Sequence, residues 1–234
     1  MNTGHSSQFA VIFDMDGVIV HSNPTHKKAI RKFLEQHGKS LSDRYLREEV
    51  YGRTNREWLR STFDGITEEK IEEYIREKEQ IFREMFAHDL KPLPGLREFL
   101  DTLCENEIIM AVATSAPKVN ADWVLGELDL VRYFRTVLHE GHVTHGKPHP
   151  EIYLKTADAL DMEPEKCVIF EDSLSGVEAA RSAGSPVIGV TTTHTREELA
   201  HTDAVIRDFT EIDSEILISI YDEAVNRGEI SNTG

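Results

Sequence analysis

The sequence predicts an α/β fold in which a doubly wound parallel sheet is interrupted by an inserted helical domain, and three observations carry that prediction. Six short apolar runs alternate with amphipathic stretches of helical spacing, the pattern of strands buried under helices on both faces. Residues 22–90 break the alternation with long polar helices and no strand signal. Carboxylates, hydroxyls and a lysine fall at or near the ends of apolar runs, and in an open parallel sheet that edge binds ligands.

Taken in order, FAVIF (9–13) reads as the first strand and runs straight into Asp14-Met15-Asp16-Gly17. The insertion follows, with helices over PTHKKAIRKFLEQHG (24–38) and TEEKIEEYIREKEQIFREMFAH (67–88), and hinges near 20–24 and 88–93. The expected division is therefore 1–21 with 91–234 for the α/β core, and 22–90 for the insertion. Past KPLPG, a helix over 96–106 leads to a strand at 108–113 that ends in Thr114 and Ser115, and a helix over 119–130 leads to a strand at 136–138. Lys147-Pro148 opens the helix over 151–162. A strand at 167–170 then ends in Glu171-Asp172, a helix spans 175–184, and strands follow at 186–190 and 203–206. The tail from Asn226 is expected to fray.

Composition narrows the function. In 234 residues, 39 % hydrophobic and 29 % charged content describe a globular chain, and a net charge of −16 argues against nucleic acid and anionic membrane as partners. No apolar stretch has bilayer length, and MNTGHSSQ lacks the basic and apolar regions of a signal peptide, so a cytoplasmic monomer is expected. The two cysteines, Cys104 and Cys167, form no disulfide framework and read as small core residues.

The four segments DMDG, VATSAP, GKPHP and VIFEDS, in this order over residues 9–210, resemble the haloacid dehalogenase superfamily in its β-phosphoglucomutase-like branch of phosphatases and mutases. That resemblance implies a Rossmann-like core and a helical cap that closes over the active site. It implies a Mg²⁺-dependent phosphatase of a small phosphorylated metabolite such as a sugar phosphate, with a sugar phosphomutase as the alternative. A metal-independent dehalogenase and a catalytically silent phosphate binder are the remaining readings. Dehalogenases typically lack the second aspartate of DMDG, and every catalytic residue type is present, so both of these fit less well.

Within this reading Asp14 is the nucleophile, because a carboxylate can attack phosphorus and form an acyl-phosphate. Asp16 donates a proton to the leaving oxygen and later takes one back. Asp14, Asp172 and the backbone carbonyl of Asp16 form the hard oxygen set expected for Mg²⁺, with Glu171 in or beside the shell through water. Glu171 and Asp172 equally suit a helix N-terminus, and Thr114 and Ser115 suit either a phosphoryl cradle or an ordinary N-cap. By resemblance, Lys147 offsets charge between nucleophile and phosphate, although a lysine before proline is commonly solvated. By resemblance too, YGRTNRE (51–57) is the specificity loop. It offers Arg53, Asn55 and Arg56, with Arg56 the best match, and His26 is a further candidate for positioning substrate or closing the cap. Tyr51 stands where known mutases carry lysine, which weakens the mutase reading. His139, His142, His145 and His149 match no transition-metal spacing and read as a variable loop around Lys147.

Overall fold

In a computed structural model that describes residues 9–50 and 54–231, the apolar runs become strands to within a residue at each end. They are β1 (Ala10–Phe13), β2 (Ile109–Ala113), β3 (Thr136–Leu138), β4 (Cys167–Glu171), β5 (Val187–Val190) and β6 (Ala204–Ile206), and they form one parallel sheet in the order β3-β2-β1-β4-β5-β6. β1 is central, with Phe13 registered between Val112 and Phe170. The chain winds outward from β1 to β3, then returns to β4 on the other side of β1. This reversal between β1 and β4 opens a crevice at the C-terminal ends of both strands. Asp14 follows β1 directly, and Glu171 is the last residue of β4.

The two faces of the sheet are filled differently. On one, Phe13 stacks on Phe170 at 5.2 Å between ring centroids, and Phe99, Phe134 and Phe209 close around the pair. On the other, Ala10, Ile12, Ala111 and Ile169 meet Tyr153, Val177, Ala179 and Ala180, and the alanines let the helix that carries them approach the strands closely. Phe99 belongs to helix α5 (Leu96–Glu105), Tyr153 to α7 (Glu151–Ala159) and the alanines to α8 (Leu174–Ser182), while α6 (Lys118–Glu127) links β2 to β3. Two expectations need correction. The final helix, α9 (Ser214–Ser231), runs through the start of the tail expected to fray, and Cys104 is exposed on α5 whereas Cys167 is buried.

Met1–His21 with Lys91–Gly234 form one compact unit, and Ser22–Leu90 form another. The second unit is helical: α1 (Asn23–Gln36), a short α2 (Asp43–Tyr45) running into a π-turn at Leu46–Val50, α3 (Asn55–Thr62) and α4 (Glu68–Phe86). Thr54 caps α3 in a reciprocal box with Glu57, and Thr67 caps α4. Phe33, Trp58, Leu59, Ile71 and Phe82 are buried in this unit. So are Lys78 and Glu79, a charged pair in mid-helix.

Candidate active site

At the crevice between β1 and β4, Asp14 is buried with its backbone N–H bonded to Phe170 O at 3.0 Å. Gly17 adopts φ +93°, which a side chain would strain, and the turn it permits closes through Gly17 N–H to Val20 O at 2.7 Å. Lys147 reaches in from the loop before α7. Its Nζ donates to Asp14 Oδ1 at 2.7 Å, Glu171 Oε1 at 2.6 Å and Ala113 O at 3.3 Å, and lies 4.8 Å from the Tyr153 ring centre. The side chain is 6 % exposed, so the solvated reading of this lysine does not hold.

Glu171 accepts from five donors: Lys147 and the Tyr153 hydroxyl on Oε1, and the Asp172 N–H, Ser173 N–H and Ser173 hydroxyl on Oε2. A carboxylate has about four lone-pair sites, so these donors saturate it. The cap of α8 is Ser173, which accepts from Gly176 N–H at 3.0 Å, and neither acid serves as the N-cap. Asp172 is held from the turn that follows β5. Thr193 donates to its Oδ2, and the Thr192 hydroxyl lies 2.6 Å from Gly17 O and 3.2 Å from Asp172 Oδ2, bridging the first and last motifs.

Three carboxylates thus lie buried together with one ammonium, and one oxygen from each lies within 4.8 Å of the others. Burial raises the pKa of Asp14 well above the usual carboxylate range against the pull of Lys147, and the charges of Glu171 and Asp172 add to the rise. Burial and the neighbouring Glu171 push Asp172 up to about 7. For Glu171 burial opposes the charge, but Lys147 and the surrounding donors win and its pKa falls. For Lys147 burial is likewise outweighed, by Asp14 and Glu171, so it stays cationic. Burial and mutual repulsion thus disfavour the anionic forms of Asp14 and Asp172, and their all-oxygen donor set suits a hard divalent cation.

The other expected residues separate into groups. Thr114 is buried at the end of β2 with its hydroxyl accepting from Ala116 N–H, whereas Ser115 is exposed. Neither caps α6, whose N-cap is Pro117. Asp16 is half-buried in the turn beyond Asp14. In the helical unit, His26 Nδ1 sits 3.1 Å from Lys78 Nζ and its ring stacks on Phe82 at 3.6 Å. Lys78 donates to Glu79 Oε1 at 2.7 Å, and Asn55 Nδ2 donates to the same oxygen at 2.7 Å. Against burial, Lys78 and His26 draw the Glu79 pKa down to about 2. Arg56 is not part of this group: its guanidinium is exposed and paired with Glu68 and Glu72 at the start of α4. Arg53 and Tyr51 lie outside the described residues.

Tyr153, Ser173, Thr192, Thr193, Lys78 and Glu79 escaped the sequence reading. The Thr191-Thr192-Thr193 run immediately after β5 was a readable signal, because it falls on the ligand-binding edge. Lys78 and Glu79 gave none, since REKEQ inside a polar helix reads as a solvated face.

The family model for haloacid dehalogenase-like hydrolases matches residues 11–190. A phosphorylated carbohydrates phosphatase of Thermotoga maritima is 39 % identical over 176 residues, 75 % of this chain and 81 % of that protein. A β-phosphoglucomutase of Bacillus subtilis is 30 % identical over 89 % of this chain and 93 % of its own length. Among solved structures, a family IA hydrolase from Entamoeba histolytica superposes with a TM-score of 0.84 at 28 % identity, covering 92 % of this chain and 99 % of that one. With its fold, its motif order and these matches, the chain belongs to the haloacid dehalogenase-like hydrolases.

Proposed function

We propose that this protein is a Mg²⁺-dependent phosphatase of a small phosphorylated carbohydrate and that Asp14 is its nucleophile. The observation that carries the reading is the pairing of Asp14, at the switch point of the sheet, with the buried ammonium of Lys147 and the buried Asp172. Lys147 holds Oδ1 of Asp14, and the other oxygen, Oδ2, attacks phosphorus as the bond to the ester oxygen breaks. Asp16 gives its proton to that leaving oxygen. It then takes a proton from water, whose oxygen attacks phosphorus and frees Asp14 and inorganic phosphate. Asp14, Asp172 and the Asp16 carbonyl would hold the magnesium ion, with the saturated Glu171 beside it rather than on it. Bound there, the ion supplies the positive charge that an anionic carboxylate needs to approach a phosphoryl dianion.

Glu171 fixes Lys147 and, through Oε2, the start of α8. Thr114 and Ser115, at the same edge, are assigned to the phosphoryl oxygens, and His26 and Asn55 to the remainder of the substrate. Phosphatase activity on carbohydrate phosphates is what the Thermotoga maritima relative is named for. The mutase reading has its own support in the Bacillus subtilis relative. The net charge of −16 disfavours an anionic membrane as partner, and no described helix is long and apolar enough to cross a membrane.

A panel of hexose and pentose phosphates, assayed with Mg²⁺ and with chelator, tests the proposal. Release of inorganic phosphate that requires the cation is expected. Isomerised sugar phosphate without phosphate release would replace the phosphatase by the mutase, and full turnover under chelator would reject both.

A further inference from the structure

The loop carrying Lys147 holds a second set of metal-ligating groups whose chemistry differs from that of the buried acids. One ligand atom each from His145, His149 and Glu151 lies within 4.8 Å of the others. His145 Nδ1 and Glu151 Oε2 are 3.2 Å apart. Two ligands on a tetrahedral zinc ion, with bonds near 2.0–2.1 Å, stand about 3.3 Å apart, so this pair already has the spacing of one edge of such a site. The histidine rings lie 4.7 Å apart between centres at 35°, and both are exposed.

The carboxylate of Glu151 is anchored before any ion arrives. Thr144 N–H donates to Oε1 at 3.0 Å, His145 N–H donates to Oε2 at 2.9 Å, and Lys155 donates to Oε1 at 2.7 Å. Those donors hold it ionised, with a pKa of about 2. His149 is oriented by Glu151 N–H, which donates to its Nδ1 at 3.2 Å. His139 and His142, close in sequence, likewise accept backbone N–H groups on Nδ1, from Gly141 and His139, but they are not part of this group.

We infer that His145, His149 and Glu151 form a site for a borderline divalent cation of the zinc class, distinct from the hard-oxygen pocket at Asp14 and Asp172. Two imidazoles and one carboxylate suit zinc, nickel or copper and not magnesium, and three protein ligands leave a position for water. Lys147 stands two residues from each histidine, so the cation ties both ends of the segment that presents this lysine to Asp14. The inference does not depend on the phosphatase reading, since it concerns binding alone.

Competition between the full-length protein and a chromophoric chelator for Zn²⁺, in excess Mg²⁺ to fill the oxygen pocket, tests it. Wild type and the His139→Ala/His142→Ala variant should bind one equivalent with equal affinity. His145→Ala and His149→Ala should each weaken that site at least tenfold, as loss of a ligand costs no less than loss of an outer-shell partner. Unchanged thermal midpoints and Mg²⁺-supported turnover in both single variants would show that the fold is intact. Weakening of less than tenfold in either variant, or equal loss in the His139/His142 variant, would overturn the site.

Discussion

Replacing Gly176 by alanine offers a sharp test of how the crevice is held together. Gly176 sits in the first turn of α8, and a Cβ built there would overlap the carboxylate of Glu171. By helix propensity alone the change would stabilise the protein by up to about 1 kcal/mol. The carboxylate, however, is 1 % exposed and accepts from five donors, one of them the Lys147 ammonium, so it cannot step aside without breaking a buried ion pair. Breaking such a pair costs about 3–5 kcal/mol. The net expectation is destabilisation by roughly 2–4 kcal/mol, a fall in Tm of roughly 4–16 °C for a chain of this size. Because Lys147 would lose one of its two carboxylate partners, kcat should fall tenfold or more while the far-UV spectrum is kept. Urea denaturation and steady-state kinetics on the same preparation measure both effects. A variant stabilised by about 1 kcal/mol with full activity would refute the role of Glu171 as the residue that fixes Lys147.

Other expectations follow from single residues. Asp16→Asn should slow hydrolysis of alkyl phosphates far more than that of an aryl phosphate with an acidic phenol, and equal slowing on both would remove Asp16 as the proton donor. Arg56→Ala should change stability by less than about 1 kcal/mol, the range of exposed ion pairs, and leave kcat/KM within about twofold on every substrate; a tenfold loss on the preferred one alone would make Arg56 a specificity residue despite its pairing with Glu68 and Glu72. Glu79 has a folded pKa of about 2 against a usual 4.5, so its contribution is present above pH 4.5 and is lost as pH falls toward 2. That shift corresponds to about 3 kcal/mol, and the gap in urea midpoint between wild type and Glu79→Gln should narrow below pH 4.5; a gap that stays constant from neutral pH to pH 3 would contradict the buried pairing with Lys78.

Legibility in the sequence followed the range of the forces involved. The strands were readable because each is a short run buried on both faces, bounded by turn residues or by the motif itself, as in FAVIF before Asp14. Helix ends were harder. The residues that end α5, α6 and α7 include Glu107, Asp129 and Asp161 at positive φ of 55°, 51° and 57°, where glycine is the usual sign and none stands. In the crevice, Asp14, Asp172 and Lys147 were legible from their motifs, because spacing and strand position fix them together. Tyr153 was not, because only the fold brings its hydroxyl to Glu171, and the threonines after β5 were readable as residues of that edge but not as partners of Asp172. The pairing of Arg56 was not legible either: Glu68 and Glu72 stand twelve and sixteen positions away, which no local pattern reveals. The His145 trio stayed hidden because its third member, Glu151, reads from sequence only as an acid in the first turn of a helix.

The central claim, that Asp14 carries the phosphoryl group during turnover, is tested most directly by trapping it. Rapid acid quench of wild type turning over a phosphorylated substrate with Mg²⁺, followed by borohydride reduction and mass spectrometry of the peptide spanning Phe9–Val20, should convert Asp14 and only Asp14 to homoserine. The Asp14→Asn variant should show neither conversion nor phosphate release. Steady turnover by wild type with no modified Asp14, or phosphate release by Asp14→Asn within a few-fold of wild type, would contradict the mechanism.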